Sequence, residues 1–202
     1  MEQRDLVVLV DEYDHDMFNQ SGRLSTADKI EAHRQGLLHR AVSVFVFNYR
    51  NELLLQKRAA GKYHSPDKWT NTCCTHPLPG EAPLKTAQRR LNEEMGLIAT
   101  LTEAFTFSYK ADVGNGLTEN EFDHIFFGVS NQNPNPDHSE VADWTWVTIE
   151  ELAQELNTNP EGYSTWLRKC FDEVIMHKSH GLRCVYTGYK NGGLFYPTQD
   201  SR

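Results

Sequence analysis

Cys74 and His76 lie two residues apart in the run Trp69-Thr70-Asn71-Thr72-Cys73-Cys74-Thr75-His76-Pro77. A thiol beside an imidazole and small polar groups can be a nucleophile with its base, or a proton-transfer group beside a metal ligand. A cysteine without such neighbours is more often a buried structural thiol. Cys73 is the internal control. In an extended segment adjacent residues face opposite sides, so Cys73 is expected to be structural. Glu119 and Glu121 are i,i+2 and share one face of a strand, where a single cation can take both carboxylates. The stretch Arg89-Arg90-Leu91-Asn92-Glu93-Glu94 adds carboxylates that can hold a hard divalent cation against diphosphate oxygens. The same residues also suit ordinary i,i+4 pairs, Arg89–Glu93 and Arg90–Glu94, on a solvated helix.

These groups need elements to hold them. Residues 6–10 read as a short apolar strand, and residues 11–35 as polar chain looping over the surface. Residues 41–47, β-branched and aromatic, read as a buried strand that turns at 48–51 and returns over 53–56. Leu84, Ala87, Leu91 and Met95 recur at helical spacing and Gly96 supplies a stop, which predicts a helix over 84–95. Strands are expected over 105–111 and 122–130, with a Gly- and Asn-rich loop at 113–117 between them. Residues 131–137 read as a loop, 144–147 as a strand and 149–156 as a short helix. Trp166, Leu167, Cys170, Phe171, Val174 and Ile175 mark another amphipathic helix. The connections look antiparallel.

The chain of 202 residues is long enough to bury a core, and 39% hydrophobic with 24% charged residues is a globular balance. A net charge of −8 argues against non-specific nucleic-acid binding but not against an anionic small substrate, because local basic residues can override the net sign. The longest apolar run, 41–47, is far short of the roughly 20 residues that span a bilayer. The first eleven residues have no signal-peptide pattern. The cysteines, Cys73, Cys74, Cys170 and Cys184, form neither a disulfide framework nor a C-x-x-C zinc site. A reducing cytoplasm is the expected compartment.

Thr75, Glu81, Arg89, Leu91, Glu93, Glu94, Gly96 and Leu97 together resemble the Nudix box, G-x5-E-x7-R-E-U-x-E-E-x-G-U with U a bulky aliphatic. The sequence departs from it twice: Thr75 stands for the first glycine, and Arg90 for a metal-binding glutamate. Losing one carboxylate to arginine weakens a multi-metal hydrolytic site, while the arginine can pair with phosphate. Three further motifs resemble the type 1 isopentenyl diphosphate isomerases, a Nudix-fold family. They are Gly36-Leu37-Leu38-His39-Arg40-Ala41, the Trp69-to-Pro77 run, and Glu119-Asn120-Glu121 after Phe107-Ser108-Tyr109-Lys110-Ala111. The resemblance runs from about residue 6 to 178, in the family's order.

That resemblance implies a fold and a chemistry. The fold is an α/β (α+β) Nudix-type fold, a mixed β-sheet sandwiched between α-helices. It forms one domain over 1–178, with 1–35 as an N-terminal strand-and-loop extension and 179–202 as an unassigned tail. The reaction moves a double bond in a five-carbon diphosphate through a tertiary carbocation, which calls for two acid/base groups flanking the carbon skeleton and shielding from water. By resemblance these are Cys74 and Glu121, with Tyr109 bonded to Glu121 as a proton carrier. The implied metal ligands are His39, His76, Glu119 and Glu121, with His33 as the third histidine. Imidazole with carboxylate suits Mn2+, Zn2+, Fe2+ or Mg2+ without choosing among them. Arg58, Lys62 and Arg90 would bind the diphosphate, Glu94 a Mg2+ that arrives with it, and the Trp166 ring would face the cation. His15 is too remote for the metal, and His124, His138, His177 and His180 read as ordinary. Lys57 and Lys68 read as surface residues. The expected partner is a small isoprenoid diphosphate, with no nucleic acid and no membrane, and the chain is expected to be a monomer or weak homodimer. The rival readings are a Nudix hydrolase of some diphosphate, which Arg90 disfavours, and a Nudix-fold binding module without turnover.

Overall fold

The computed structural model describes residues 6–186. A mixed seven-stranded sheet carries the order β5-β4-β3-β8-β7, with β6 added to β3 and β9 to β4. Its strands are β3 (His39–Phe47), β4 (Leu53–Arg58), β5 (Trp69–Thr70), β6 (Cys73–Thr75), β7 (Leu101–Gly114), β8 (Leu117–Val129) and β9 (Val141–Val147). Two short strands, β1 (Leu6–Val8) and β2 (Thr26–Asp28), form a separate antiparallel pair. The helices are α1 (Lys29–Gln35), α2 (Pro83–Met95), α3 (Ile149–Thr158) and α4 (Thr165–Tyr186). Among the described residues no helix is long and apolar enough to cross a membrane.

Alternation along β3 creates two apolar layers. Val42, Val44 and Val46 face α2, where they pack with Ala87, Leu91, Met95, Leu97 and Phe126. Phe45 and Phe47 face the other way, onto Leu152 of α3 and Leu167, Phe171 and Val174 of α4. The sheet is therefore sandwiched between helices, as the sequence predicts. Within α2 the stripe is Thr86, Ala87, Leu91 and Met95, while Leu84, expected in it, is 40% exposed at the first turn. Gly96 ends α2 at φ 63°, and a Cβ there would overlap the Asn135 carbonyl oxygen, so glycine is required twice over.

Three expectations need correction, and one unassigned segment gains structure. Residues 26–35 are not surface loop: they form β2 and α1, capped by Asp28 accepting from the Glu31 N–H at 3.1 Å. Their polar composition hid a helix whose inner face is itself polar. The central connection is not antiparallel, because β3 and β8 run parallel, with His39 opposite Glu121. The expected 113–117 loop is a tight hairpin turn at Asn115 and Gly116, both at positive φ, so β7 and β8 extend almost to each other. Finally, α4 continues to Tyr186, through the first part of the segment from 179 that had no assignment; the rest of that segment lies outside the described residues.

β3 and β4 pair only at Phe47–Leu53 and then splay apart. Residues 69–75 fill the wedge, with β5 on β4 and β6 on β3. Between them Asn71 and Thr72 are fully buried. Thr72 accepts from the Val46 N–H at 2.9 Å and donates to the Leu54 carbonyl at 2.7 Å. Asn71 donates to the carbonyls of Val44 and Cys73. Gln56 donates to the Thr72 carbonyl at 2.9 Å. Side chains thus replace backbone partners that the splay would otherwise leave unsatisfied.

Candidate functional site

The pocket opens where the wedge, the parallel β3–β8 pair and α1 meet. Register delivers its residues: Ser43 of β3 pairs with Cys74 of β6, His39 of β3 with Glu121 of β8, and Tyr109 of β7 with Glu121. Cys73 points the other way, fully buried among Val44, Ala87 and Leu91, as alternation requires. Cys74 lines the pocket. Its Sγ accepts from Trp166 Nε1 at 2.9 Å and donates to Asn71 Oδ1 at 2.9 Å. Burial and the nearby Asp123 carboxylate push the Cys74 thiol up to about 12, so at neutral pH it keeps its proton.

Opposite lies a cage of imidazoles and carboxylates. One ring nitrogen from each of His33, His39 and His76 and an oxygen of Glu121 lie within 4.8 Å of one another. The tautomers of two rings follow from their backbone partners. His33 Nδ1–H donates to the Lys29 carbonyl at 2.6 Å, and His39 Nδ1–H to the Leu37 carbonyl at 2.8 Å. Each Nε2 therefore presents a lone pair to the cage. His39 Nε2 is buried without a hydrogen-bond partner and lies 3.6 Å from Glu121 Oε1. An orphaned acceptor aimed at a carboxylate is what a divalent cation would satisfy, and carbonyl-oriented histidines are common metal ligands. The donor set fits such an ion.

Charge tells the same story. Burial and the neighbouring Glu121 push the Glu119 carboxyl well above the usual range. Glu121 goes the other way: burial opposes its ionisation, but the close His39 and His76 rings, the latter hydrogen-bonded to Oε1 at 2.9 Å, outweigh it. Burial pulls the His76 imidazolium down to about 3 and also lowers His33, so these rings are neutral at physiological pH. Tyr109 Oη donates to Glu121 Oε2 at 2.6 Å.

The third wall is cationic. Lys29, Arg58, Lys62 and Arg90 line the same pocket with Glu94 and Glu140. Arg58 is anchored by donating to the Ser65 and His64 carbonyls, and its guanidinium lies 5.1 Å from the Trp166 ring. Arg90 donates to Glu94 Oε1 at 2.5 Å and Lys62 pairs with Glu140. Glu94 also accepts from Gln56 at 3.1 Å. Carboxylates of the helical motif are thus held by arginines and an amide, while Glu81 is tied to Arg89 by two hydrogen bonds outside the pocket lining.

The fold gathers Cys74, Glu121, Tyr109, His76, Glu119, Glu94, Arg58, Lys62, Arg90 and Trp166 around one cavity, and His33 and His39 stand at its wall beside Glu119, Glu121 and His76. His124 lies elsewhere, between Asp14 and Glu103. Sequence reasoning missed Lys29, Asp123 and His64. Lys29 sits four residues before His33 on one helix face, and Asp123 continues the i,i+2 series from Glu119 and Glu121; both spacings were readable. Asp123 accepts from Ser43 at 2.7 Å, and Ser43 Oγ lies 3.6 Å from Cys74 Sγ. His64 follows the end of β4 in irregular chain and carried no periodic signal.

The NUDIX domain family model matches residues 37–170. The chain is 49% identical over 177 residues to "Isopentenyl-diphosphate Delta-isomerase 2" of Aromatoleum aromaticum, covering 87% of this chain and 89% of that protein. It is 44% identical over 168 residues to "Isopentenyl-diphosphate Delta-isomerase" of Pectobacterium atrosepticum, covering 83% and 90%. The crystal structure of DR0079 from Deinococcus radiodurans superposes with a TM-score of 0.63 at 16% identity, over 83% of this chain and 98% of that one, and speaks to the fold alone. With the altered helical motif, the thiol of the wedge and the cage residues His39, His76 and Glu121 all inside the matched region, the chain belongs to the isopentenyl-diphosphate Delta-isomerase family of NUDIX domain proteins.

Proposed function

We propose that this protein interconverts isopentenyl diphosphate and dimethylallyl diphosphate, by proton addition and removal at Cys74 and Glu121. The observation that carries this reading is a protonated thiol and a Tyr109-bonded carboxylate lining one pocket together with Lys29, Arg58, Lys62 and Arg90. One of the two groups gives a proton to the alkene, which forms the tertiary cation. The other takes a proton from the adjacent carbon and closes the shifted double bond. Reversal exchanges the roles.

His33, His39, His76, Glu119 and Glu121 would hold a divalent cation, and Glu94 a Mg2+ entering with the diphosphate. Bound there, such ions neutralise carboxylates and diphosphate oxygens. Lys29, Arg58, Lys62 and Arg90 bind the diphosphate and fix the carbon chain between the walls. The Trp166 ring, 3% exposed, covers Cys74 and offers a π face to the developing cation, an interaction worth roughly 2 kcal/mol when desolvated. Trp166 and Cys74 also keep water from the carbocation. Diphosphate hydrolysis has less support, because Arg89 and Arg90 occupy the Glu93 carboxylate and Arg90 holds Glu94.

Incubation with isopentenyl diphosphate and Mg2+ should yield an acid-labile allylic product and no phosphate release. Cys74→Ala should abolish it, and Cys73→Ala should retain most turnover. Full activity of Cys74→Ala, or equal loss in both variants, overturns the assignment.

A further inference from the structure

His64 is buried, 4% exposed, and belongs to no strand or helix. It nevertheless reaches Glu119 and His33. Its Nε2 lies 3.0 Å from Glu119 Oε1. The other oxygen, Oε2, lies 3.1 Å from His33 Nε2, on the cage side. The two oxygens of Glu119 thus have different nearest imidazoles, although one nitrogen of His64, one of His33 and one Glu119 oxygen also lie within 4.8 Å of one another. With a cation on Glu119 the carboxylate would have no proton to give, so a hydrogen bond between Oε1 and His64 across that 3.0 Å would take its proton from Nε2. The Ser65 hydroxyl, 3.4 Å from Nδ1, can donate to the remaining lone pair and agrees with that tautomer. The ring has no freedom to leave. It stacks on His33 at 5.6 Å, meets the edge of Tyr63 at 4.3 Å and of Trp166 at 5.8 Å, and its own carbonyl accepts from Arg58.

We infer that His64 is a positioning residue. By donating Nε2–H to Glu119 Oε1 it turns Oε2 into the metal cage, and its ring couples the cage to Trp166 and Arg58 on the substrate side. The inference rests on the metal-site reading given above and goes beyond it by adding a fourth histidine that orients a ligand without being one. Outer hydrogen bonds of this kind typically change metal affinity by about 10- to 100-fold when removed.

The test reads Mn2+ binding to the whole protein by the loss of the free-ion spin resonance signal, with no substrate present. His64→Leu keeps the volume and removes the donor, and Mn2+ affinity should fall about 10- to 100-fold. His64→Gln puts an N–H donor near the same place and should recover most of that loss, which simple loss of packing would not allow. His39→Ala, which removes a direct ligand, sets the scale and should lose more than His64→Leu. Should His64→Leu not fold, His64→Ala takes its place. Wild-type affinity in His64→Leu together with a large loss in His39→Ala overturns the role of His64 and leaves the site standing. Equal weakness of the Gln and Leu variants means that His64 acts by packing or as a direct ligand, and also overturns it. Unchanged binding in His39→Ala overturns the site reading itself.

Discussion

Tyr109 donates to Glu121 at 2.6 Å from the position directly opposite it in the β7–β8 register. Burial and the Glu121 charge hold the phenol well above its ordinary range, so it is a firm donor at any working pH. Tyr109→Phe removes that proton while keeping the ring, which stacks on Phe107 at 5.0 Å. We expect kcat to fall by about 10²-fold, the low end for a general acid–base group, with KM nearly unchanged. Steady-state kinetics of the variant check this; a KM effect alone would assign Tyr109 to packing.

Cys73 tests how far alternation governs the wedge. Cys73→Ser places a hydroxyl among Val44, Ala87 and Leu91 and should destabilise the fold by about 1–3 kcal/mol, while kcat stays close to wild type. Urea unfolding and the isomerase assay separate the two effects. A large loss of kcat without loss of stability would contradict the orientation described.

Lys62 makes the pocket pH-sensitive. Burial pulls its ammonium down to about 8, with Arg58 and Lys29 adding to the fall and Glu94 opposing it. Below that pH the free enzyme carries the cation that a diphosphate needs, and above it the charge is lost. The value of kcat/KM should therefore drop above about pH 8, mainly through KM, because bound diphosphate restores the proton. Lys62→Arg stays charged and should move the drop to higher pH. An identical profile in wild type and variant would remove Lys62 from diphosphate binding.

Glu81 contributes to stability rather than chemistry. Hydrogen bonds from Arg89, with help from the Leu78 N–H and Thr86, hold its carboxyl down to about 2, against 4.5 in the unfolded chain. Its folded pKa is depressed, so the stabilisation is fully present above about pH 4.5 and is lost as pH falls toward 2. The Tm gap between wild type and Glu81→Gln should be widest above pH 5 and shrink on acidification. A gap that grows as pH falls would reverse the sign and refute the pairing.

Much of the fold was legible because its pattern is local. Alternating valines and phenylalanines in β3, and the stripe ended by Gly96, read directly as strand and helix. α1 was not legible, because its buried residues are only Ala32 and His33, with half-buried Lys29 beside them, and hydropathy takes so polar a face for solvent. The parallel β3–β8 pairing is a long-range choice that no local spacing encodes. At the site, residues inside contiguous motifs were easy to name, whereas His64 enters from irregular chain and acts only through Glu119.

The buried side chains of the wedge have a consequence for chemical selection. A slip of one residue along 69–75 would turn Cys73 into the pocket and Cys74 into the core. The same slip would strand Val44, Val46 and Leu54, whose backbone groups depend on Asn71 and Thr72 standing where they do. Two chemically identical thiols therefore differ only by phase, and a pair of interior amide and hydroxyl groups sets it. Thr72→Val, which preserves shape and removes both hydrogen bonds, would leave Asn71 alone to hold that phase.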